Sequence, residues 1–381
     1  MVTEQPYPRF TPKEMSRRRA ALEHLTAEHD LDAVVLYGAD RSGSAVQWIT
    51  GWPVTREAVV LLQAGRPDLL LVQFHNHVPN AVLMADHAEV RWGGPATMRT
   101  LCEELDGRQA GRVGVIGPIH HVGHRLLSDR SSAVVPLDPA YQPLRMVKSP
   151  EEVDWMRRGA ELSDRALIAL RTGVRPGIDE YGLGALVESS YLDEGGTNHI
   201  HYFGVTAMER PSICAPLQWP TARRVEPGDV LVTEISASWW GYPGQVLRTM
   251  ILADEPTALY AELHEVAEAA YRAVLDVLRP DTRAEEVVAA ASVIEDAGFT
   301  TYDDLVHGLG GGYLPPVIAS RSRTDVPVPD TVLEDGMTVV IQPNVVTPDH
   351  RAGVQTGGLV LVTEAGTTPL QKAEGGLWRI G

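Results

Sequence analysis

A series of short apolar stretches in the second half of the chain, punctuated by glycine and ending on polar residues, limits the fold more than any other feature. Gly228-Asp-Val-Leu-Val-Thr-Glu234 leads into Gly241-Tyr242 and Gln245-Val-Leu-Arg248-Thr249; later come His307-Gly-Leu-Gly310, Gly336-Met-Thr-Val-Val-Ile-Gln342-Pro343 and Gly353-Val-Gln-Thr-Gly357. Apolar runs bounded by Gly and Pro read as strands. The predicted strands are 199–204, 230–236, 246–252, 338–346 and 358–363. Helical periodicity places helices over 150–172, 178–194, 256–278 and 284–297. Strands and helices in similar share predict an α+β arrangement.

The first half alternates. A helix is predicted over 12–28 with Thr11 as its N-cap, and strands over 31–37, 58–62, 69–73, 113–116 and 133–135, which together make an α/β layer. Ser149 and Pro150 open the next long helix as N-cap and first residue, so a domain boundary is expected near residue 148. The 381 residues suffice for two domains. The polar segment Met1–Lys13 has no apolar leader core, no run approaches the roughly 20 apolar residues of a membrane span, and Cys102 and Cys214 make no disulfide framework. A cytoplasmic protein is expected. The formal charge of −17 argues against nucleic acid or an anionic membrane as partner.

Taken in order, these motifs resemble the C-terminal catalytic domain of the M24 "pita-bread" peptidases, the family of methionine aminopeptidase, aminopeptidase P, prolidase and creatinase. The stretch Leu144-Arg-Met-Val-Lys148-Ser-Pro150 resembles the junction between the two domains of the last three. The resemblance implies a C-terminal pita-bread (creatinase/aminopeptidase) domain, 149–381, preceded by an α/β creatinase-type N-terminal domain, 1–148. Metallopeptidases of the family hold two metal ions with two Asp, one His and two Glu. The matching positions here are Glu234, Gln245, His307, Gln342 and Gly357. A dinuclear hydrolytic site needs anionic oxygens, and this set has one carboxylate, so no metal and no cofactor is expected. Creatinase works without metal through a His, but that position falls here on Leu217 or Gln218, its substrate-holding Glu on Leu247, and the second His-Glu step of the proline peptidases on Leu314-Pro315.

The remaining candidates for chemistry are His307, expected in a Gly-rich turn and titrating near neutrality, and Glu234, whose burial would raise its pKa. His199 and His201, two apart on one strand, are expected to share a face and so to enter one pocket. Gln245, Gln342, Tyr313, Trp219, Tyr242 and Arg56 are the substrate-binding candidates. Arg56 follows Trp48-Ile-Thr-Gly51-Trp52, which resembles a creatinase loop whose nearby Arg grips the carboxylate of a substrate in the neighbouring subunit; a homodimer is implied. Trp239 and Trp240 supply aromatic mass, Arg248 braces its strand, and Arg321 and Arg323 are further anion-binding candidates.

The expectation is a metal-independent enzyme acting on a small polar, carboxylate-bearing molecule, by C–N bond hydrolysis or elimination under general acid/base catalysis. The alternatives are an isomerase, cyclase or dehydratase of a specialised pathway, a non-catalytic peptide-binding pseudopeptidase, and a new mononuclear metal site built from His199, His201, His307 and Glu234.

Overall fold

A computed structural model of the chain describes residues 7–39 and 44–381; the first six residues of the polar opening segment lie outside it. The chain divides into two compact units, Met1–Arg145 and Met146–Gly381.

The first unit is built on a six-stranded sheet of β1 (Ala33–Ala39), β2 (Glu57–Leu62), β3 (Leu69–Val72), β4 (Glu89–Trp92), β5 (Arg112–Ile116) and β6 (Ala133–Pro136), in the order β4-β3-β2-β1-β5-β6. β1 pairs antiparallel with β2 and parallel with β5. Its continuous apolar run suits a strand covered on both faces, and Ala33 through Tyr37 are buried. Helix Thr97–Gly107 lays Leu101 and Leu105 against Val59, Leu61 and Leu71. Helix Pro12–Glu28 begins where expected, with the Thr11 hydroxyl accepting from the Glu14 amide at 3.3 Å.

The second unit carries β7 (Thr197–Ala207), β8 (Asp229–Trp239), β9 (Tyr242–Leu252), β10 (Thr300–Thr301), β11 (Val306–Leu309), β12 (Tyr313–Ile318), β13 (Thr338–Ile341), β14 (Asn344–Val346), β15 (Gly353–Gln355), β16 (Gly357–Thr363), β17 (Gly366–Pro369) and β18 (Trp378–Ile380). The main sheet runs β12-β11-β13-β16-β9-β8-β7, with β17 beside β16 and β18 beside β9; β10, β14 and β15 form a small second sheet. The seam between β16 and β9 is short: only Gly357 opposite Leu247 and Gly358 opposite Val246 are in register. The Gln371 side chain extends it, donating to the Gln245 carbonyl at 2.9 Å and accepting from the Leu359 amide at 2.8 Å.

Alternation along β8 separates two cores. Leu231, Ile235 and Ala237 face the helix Pro150–Gly173 through Leu162, Ala166 and Leu170. Val230 and Val232 face the helix Ala258–Val277 through Leu263 and Ala267. The first of these helices is capped as expected: Ser149 and Glu152 form a reciprocal capping box. It lies directly on β9, since a Cβ at Gly159 would sit 2.4 Å from the Tyr242 carbonyl oxygen.

Three elements depart from expectation. The helix predicted over 178–194 is Glu180–Ser189, capped by Asp179; Ser190 turns back to the Val187 carbonyl and Tyr191 enters the core fully buried. The helix predicted over 284–297 breaks at Ala291 into Ala284–Ala290 and Val293–Asp296. The strand predicted over 338–346 breaks at Gln342-Pro343 into β13 and β14, which belong to different sheets, because Pro343 has no amide to continue the ladder.

Candidate functional site

Where the apolar layer under β8 ends, the same face continues with Glu234 and Ser236. Gln245 lies directly opposite Ser236, Leu247 opposite Glu234, and Gly357 opposite Leu247. The register thus gathers onto one face residues distant in sequence. Gln245 Nε2 donates to Glu234 Oε1 at 3.0 Å and to Gln342 Oε1 at 2.9 Å. All three side chains are buried, and their mutual hydrogen bonds offset part of the cost of burying polar groups. The Ser236 hydroxyl beside them is fully buried and has no partner.

Burial, and after it the charge of Asp303, pushes the Glu234 carboxyl up to about 8. Asp303 is itself raised by burial. Tyr202 stands directly opposite Glu234 on β7; burial, and then the charges of both carboxylates, push its phenol up. Tyr202 and Asp303 were not among the sequence candidates. Tyr202 is placed by strand register and Asp303 by the loop between β10 and β11, neither of which a single stretch of sequence states.

His307 lies on β11, not in a turn, at a register irregularity between His307 and Gly308. It is 1% exposed. Its Nδ1 donates to the Gly308 carbonyl at 3.0 Å, which leaves Nε2 as the acceptor, and its ring couples to the Gln342 side chain. Burial drives its pKa down, against the opposing influence of the Gly308 carbonyl, Asp304 and Gln342. Burial therefore disfavours the imidazolium, where titration near neutrality was expected from the sequence. Tyr313 stacks on it, with ring centroids 4.2 Å apart, and donates to Asp304 Oδ2 at 2.7 Å.

His199 and His201 do not share a pocket. A register irregularity between Asn198 and Ile200 takes His199 out of the ladder. The His199 side chain reaches the surface, yet surrounding protein lowers its pKa, and its charge acts on both His307 and His201. His201 faces the opposite core with Phe203 and Val205, and its Nε2 meets the Tyr191 hydroxyl at 2.6 Å. Burial lowers its pKa to about 4. A bulge displaces one residue and inverts the alternation on which the expectation rested.

The other candidates are dispersed. The Tyr242 hydroxyl donates to Glu152 at 2.8 Å and braces the long helix. Trp219 is 83% exposed on a loop. Arg56 is exposed on the first unit, in the bend entering β2. Trp239 takes the Arg158 guanidinium against its ring. Arg248 is buried and donates to the carbonyls of Leu247, Gly357 and Glu374, a brace as expected. Arg321 and Arg323 are engaged with Asp296 and Asp325.

The residues do not fit a pair of divalent ions. Gln245 turns its N–H donors, not its carbonyl, toward Glu234 and Gln342. Gly357 has φ +136°, and a Cβ there would meet the Ile341 carbonyl oxygen at 1.9 Å, so no ligand side chain can stand on this backbone. Among the described residues no group of three or more His, Cys, Asp or Glu is placed to hold a metal ion, which also removes the mononuclear site proposed for His199, His201, His307 and Glu234.

Comparison with known proteins gives a consistent family result. The sequence model of metallopeptidase family M24 matches residues 154–364. The Xaa-Pro dipeptidase of Pyrococcus furiosus is 26% identical over 62% of this chain and 66% of its own. A probable dipeptidase PepE of Mycobacterium tuberculosis is 30% identical over 58% of each. The chain therefore spans just under two thirds of the length of the first of these relatives and less of the second. Among solved structures, an Xaa-Pro dipeptidase from Bacillus anthracis superposes with TM-score 0.82 at 19% identity, covering 96% of this chain and all of its own. Dipeptidase PepE from Mycobacterium ulcerans gives 0.81 at 23%, covering 98% and 100%. The fold is α+β, an N-terminal domain followed by a pita-bread domain. Relatives named as dipeptidases overturn the expectation of a metal-independent enzyme for small carboxylate-bearing molecules, and with it the isomerase, cyclase, dehydratase and non-catalytic alternatives. Among the described residues no helix is long and apolar enough to cross a membrane.

Proposed function

The chain belongs to metallopeptidase family M24, and from that premise we propose that it is a hydrolase of the amide bond in short peptides, acting through its second unit. The observation that carries this reading is the buried polar cluster of Glu234, Gln245 and Gln342 next to the buried His307. It stands on the sheet face where the resemblance places the family's catalytic centre.

Glu234, protonated at neutral pH, is a hydrogen-bond donor and proton source for the leaving nitrogen. His307 Nε2, with the tautomer set by the Gly308 carbonyl, accepts a proton from the attacking water. Gln245 fixes the Glu234 carboxyl, and Gln342 orients Gln245 and His307. A cytoplasmic homodimer belongs to the same proposal, supported for the compartment by two buried free cysteines; sedimentation of the purified protein decides the oligomer.

The test is hydrolysis of Xaa-Pro and non-prolyl dipeptides, with and without added divalent ions. The wild-type chain is expected to cleave at least one class, and His307→Ala to lower kcat/KM about 10²-fold or more. The proposal fails if no dipeptide is cleaved under any condition, or if His307→Ala costs less than about tenfold.

A further inference from the structure

The first unit carries a groove that the proposed chemistry does not use. It has a volume of about 350 Å³ and is lined by Arg66, Arg91 and Arg108 together with Glu89, Glu103 and Glu104. Arg91 is engaged, its Nη2 2.9 Å from Glu104 and its Nε 3.1 Å from Glu89. Arg66 and Arg108 take part in no ion pair among the described residues. Two donors in the groove wall are buried without an acceptor: Nη1 of Arg108, and Nε of Arg91, which is near Glu89 but not aligned for a hydrogen bond.

Unsatisfied buried donors are uncommon in folded proteins. A guanidinium can only donate; Arg91 Nε faces the Glu89 carboxylate, so Arg108 Nη1 is the donor that an acceptor from outside the chain would complete. Burial lowers the Arg108 pKa; Glu104 works against this, and the charges of Arg66 and Arg91 add to it. Neighbouring guanidinium groups of this kind are relieved by an oxyanion whose lone pairs match their planar forks.

We propose that this groove binds a small oxyanion, a phosphate or a carboxylate, held by Arg66 and Arg108. Glu103 shares the lining and has no ion pair among the described residues, so the groove is formally neutral. Its selectivity comes from guanidinium geometry rather than from bulk potential, in a chain whose overall charge of −17 repels anions.

The test is isothermal titration of the full chain with sodium phosphate and, separately, sodium acetate, at ionic strength held constant with sodium chloride. Saturable binding of one of the two is expected, and which one identifies the source of the oxyanion. Arg108→Met, which keeps the aliphatic stem, and Arg66→Ala, at an exposed position, should each weaken it about tenfold or more, the effect of losing a charge-assisted hydrogen bond. Arg125→Met, on the helix His121–Ser128 of the same unit and outside the lining, should leave it unchanged. No saturable binding of either anion to the wild type overturns the proposal, and so does binding that survives both Arg66→Ala and Arg108→Met.

Discussion

Gly357→Ala is expected to destabilise the second unit by on the order of 4 kcal/mol or more, the range of the most damaging single substitutions. Two causes add. The backbone has φ +136°, a conformation that costs an L side chain of order 1–3 kcal/mol. The added Cβ would also stand 1.9 Å from the Ile341 carbonyl oxygen and 3.2 Å from the Gln342 Cα, both backbone atoms of a paired strand and its break. Gly366 supplies the control. Its φ is +109°, but nothing lies within 4 Å of its Cβ position, so Gly366→Ala should show the conformational cost alone. Thermal unfolding of both variants separates the two contributions, at roughly 2–4 °C per kcal/mol for a domain of 150–250 residues. A Gly357→Ala protein as stable as Gly366→Ala would show that the β13–β16 pairing yields easily. The same sterics predict that Gly357→Glu, which restores the family's residue type, fails to create a metal ligand and destabilises the unit instead.

Glu234→Gln should stabilise the protein at alkaline pH and leave it nearly unchanged near pH 5. The ordinary value of 4.5 describes the carboxyl in the unfolded chain, and burial, with Asp303, raises it to about 8 in the folded one. Between these values the folded state holds a proton that the unfolded state has released. Stability therefore falls as pH rises from about 4.5 toward 8, and the penalty is complete above the folded pKa. Each tenfold difference in proton affinity between the two states corresponds to about 1.4 kcal/mol. With Glu234 only 8% exposed, the full effect is of order several kcal/mol. Glutamine cannot ionise and keeps an acceptor for Gln245. Denaturant unfolding of both proteins at pH 5 and pH 8.5 reads the difference, and a gap independent of pH would sink the assignment. If Glu234 also supplies the catalytic proton, peptide hydrolysis should hold below neutrality and decline as pH rises through the folded value of about 8.

The legible parts of the sequence were those decided locally. Thr11, Ser149 and Pro150 start helices because caps depend on neighbours a few residues away. The β8 and β9 runs are apolar enough to be strands wherever they pack. Gln342-Pro343 was less legible: the apolar run continues beyond it to Val346, but the missing amide at Pro343 sends the two pieces into different sheets. The site was legible only in outline. Glu234, Gln245, Gln342 and His307 emerged from the resemblance to the family's motifs, but the hydrogen bonds joining them depend on register across β8, β9 and β13. The bulge beside His199 inverted one histidine relative to the other, and no residue in that stretch announces it. Tyr202 and Asp303 reach Glu234 only through tertiary pairing.

The short junction between β16 and β9 has a mechanical consequence. Two register pairs join the backbones of β16 and β9, and side chains supplement them: Gln371, Arg248 on the Gly357 carbonyl, and Thr249 on the Gln355 backbone; β8 and β9, by contrast, are paired along their whole length. Backbone pairing is thinnest at this seam, which passes beside Gln245. Slow opening should therefore begin there: the amides of Gly357 to Leu359 should exchange with solvent deuterium sooner than those in the middle of β8. Each opening would spread Gln245 from Gln342, so the access of a ligand to the cluster and the fluctuation of the sheet become a single event.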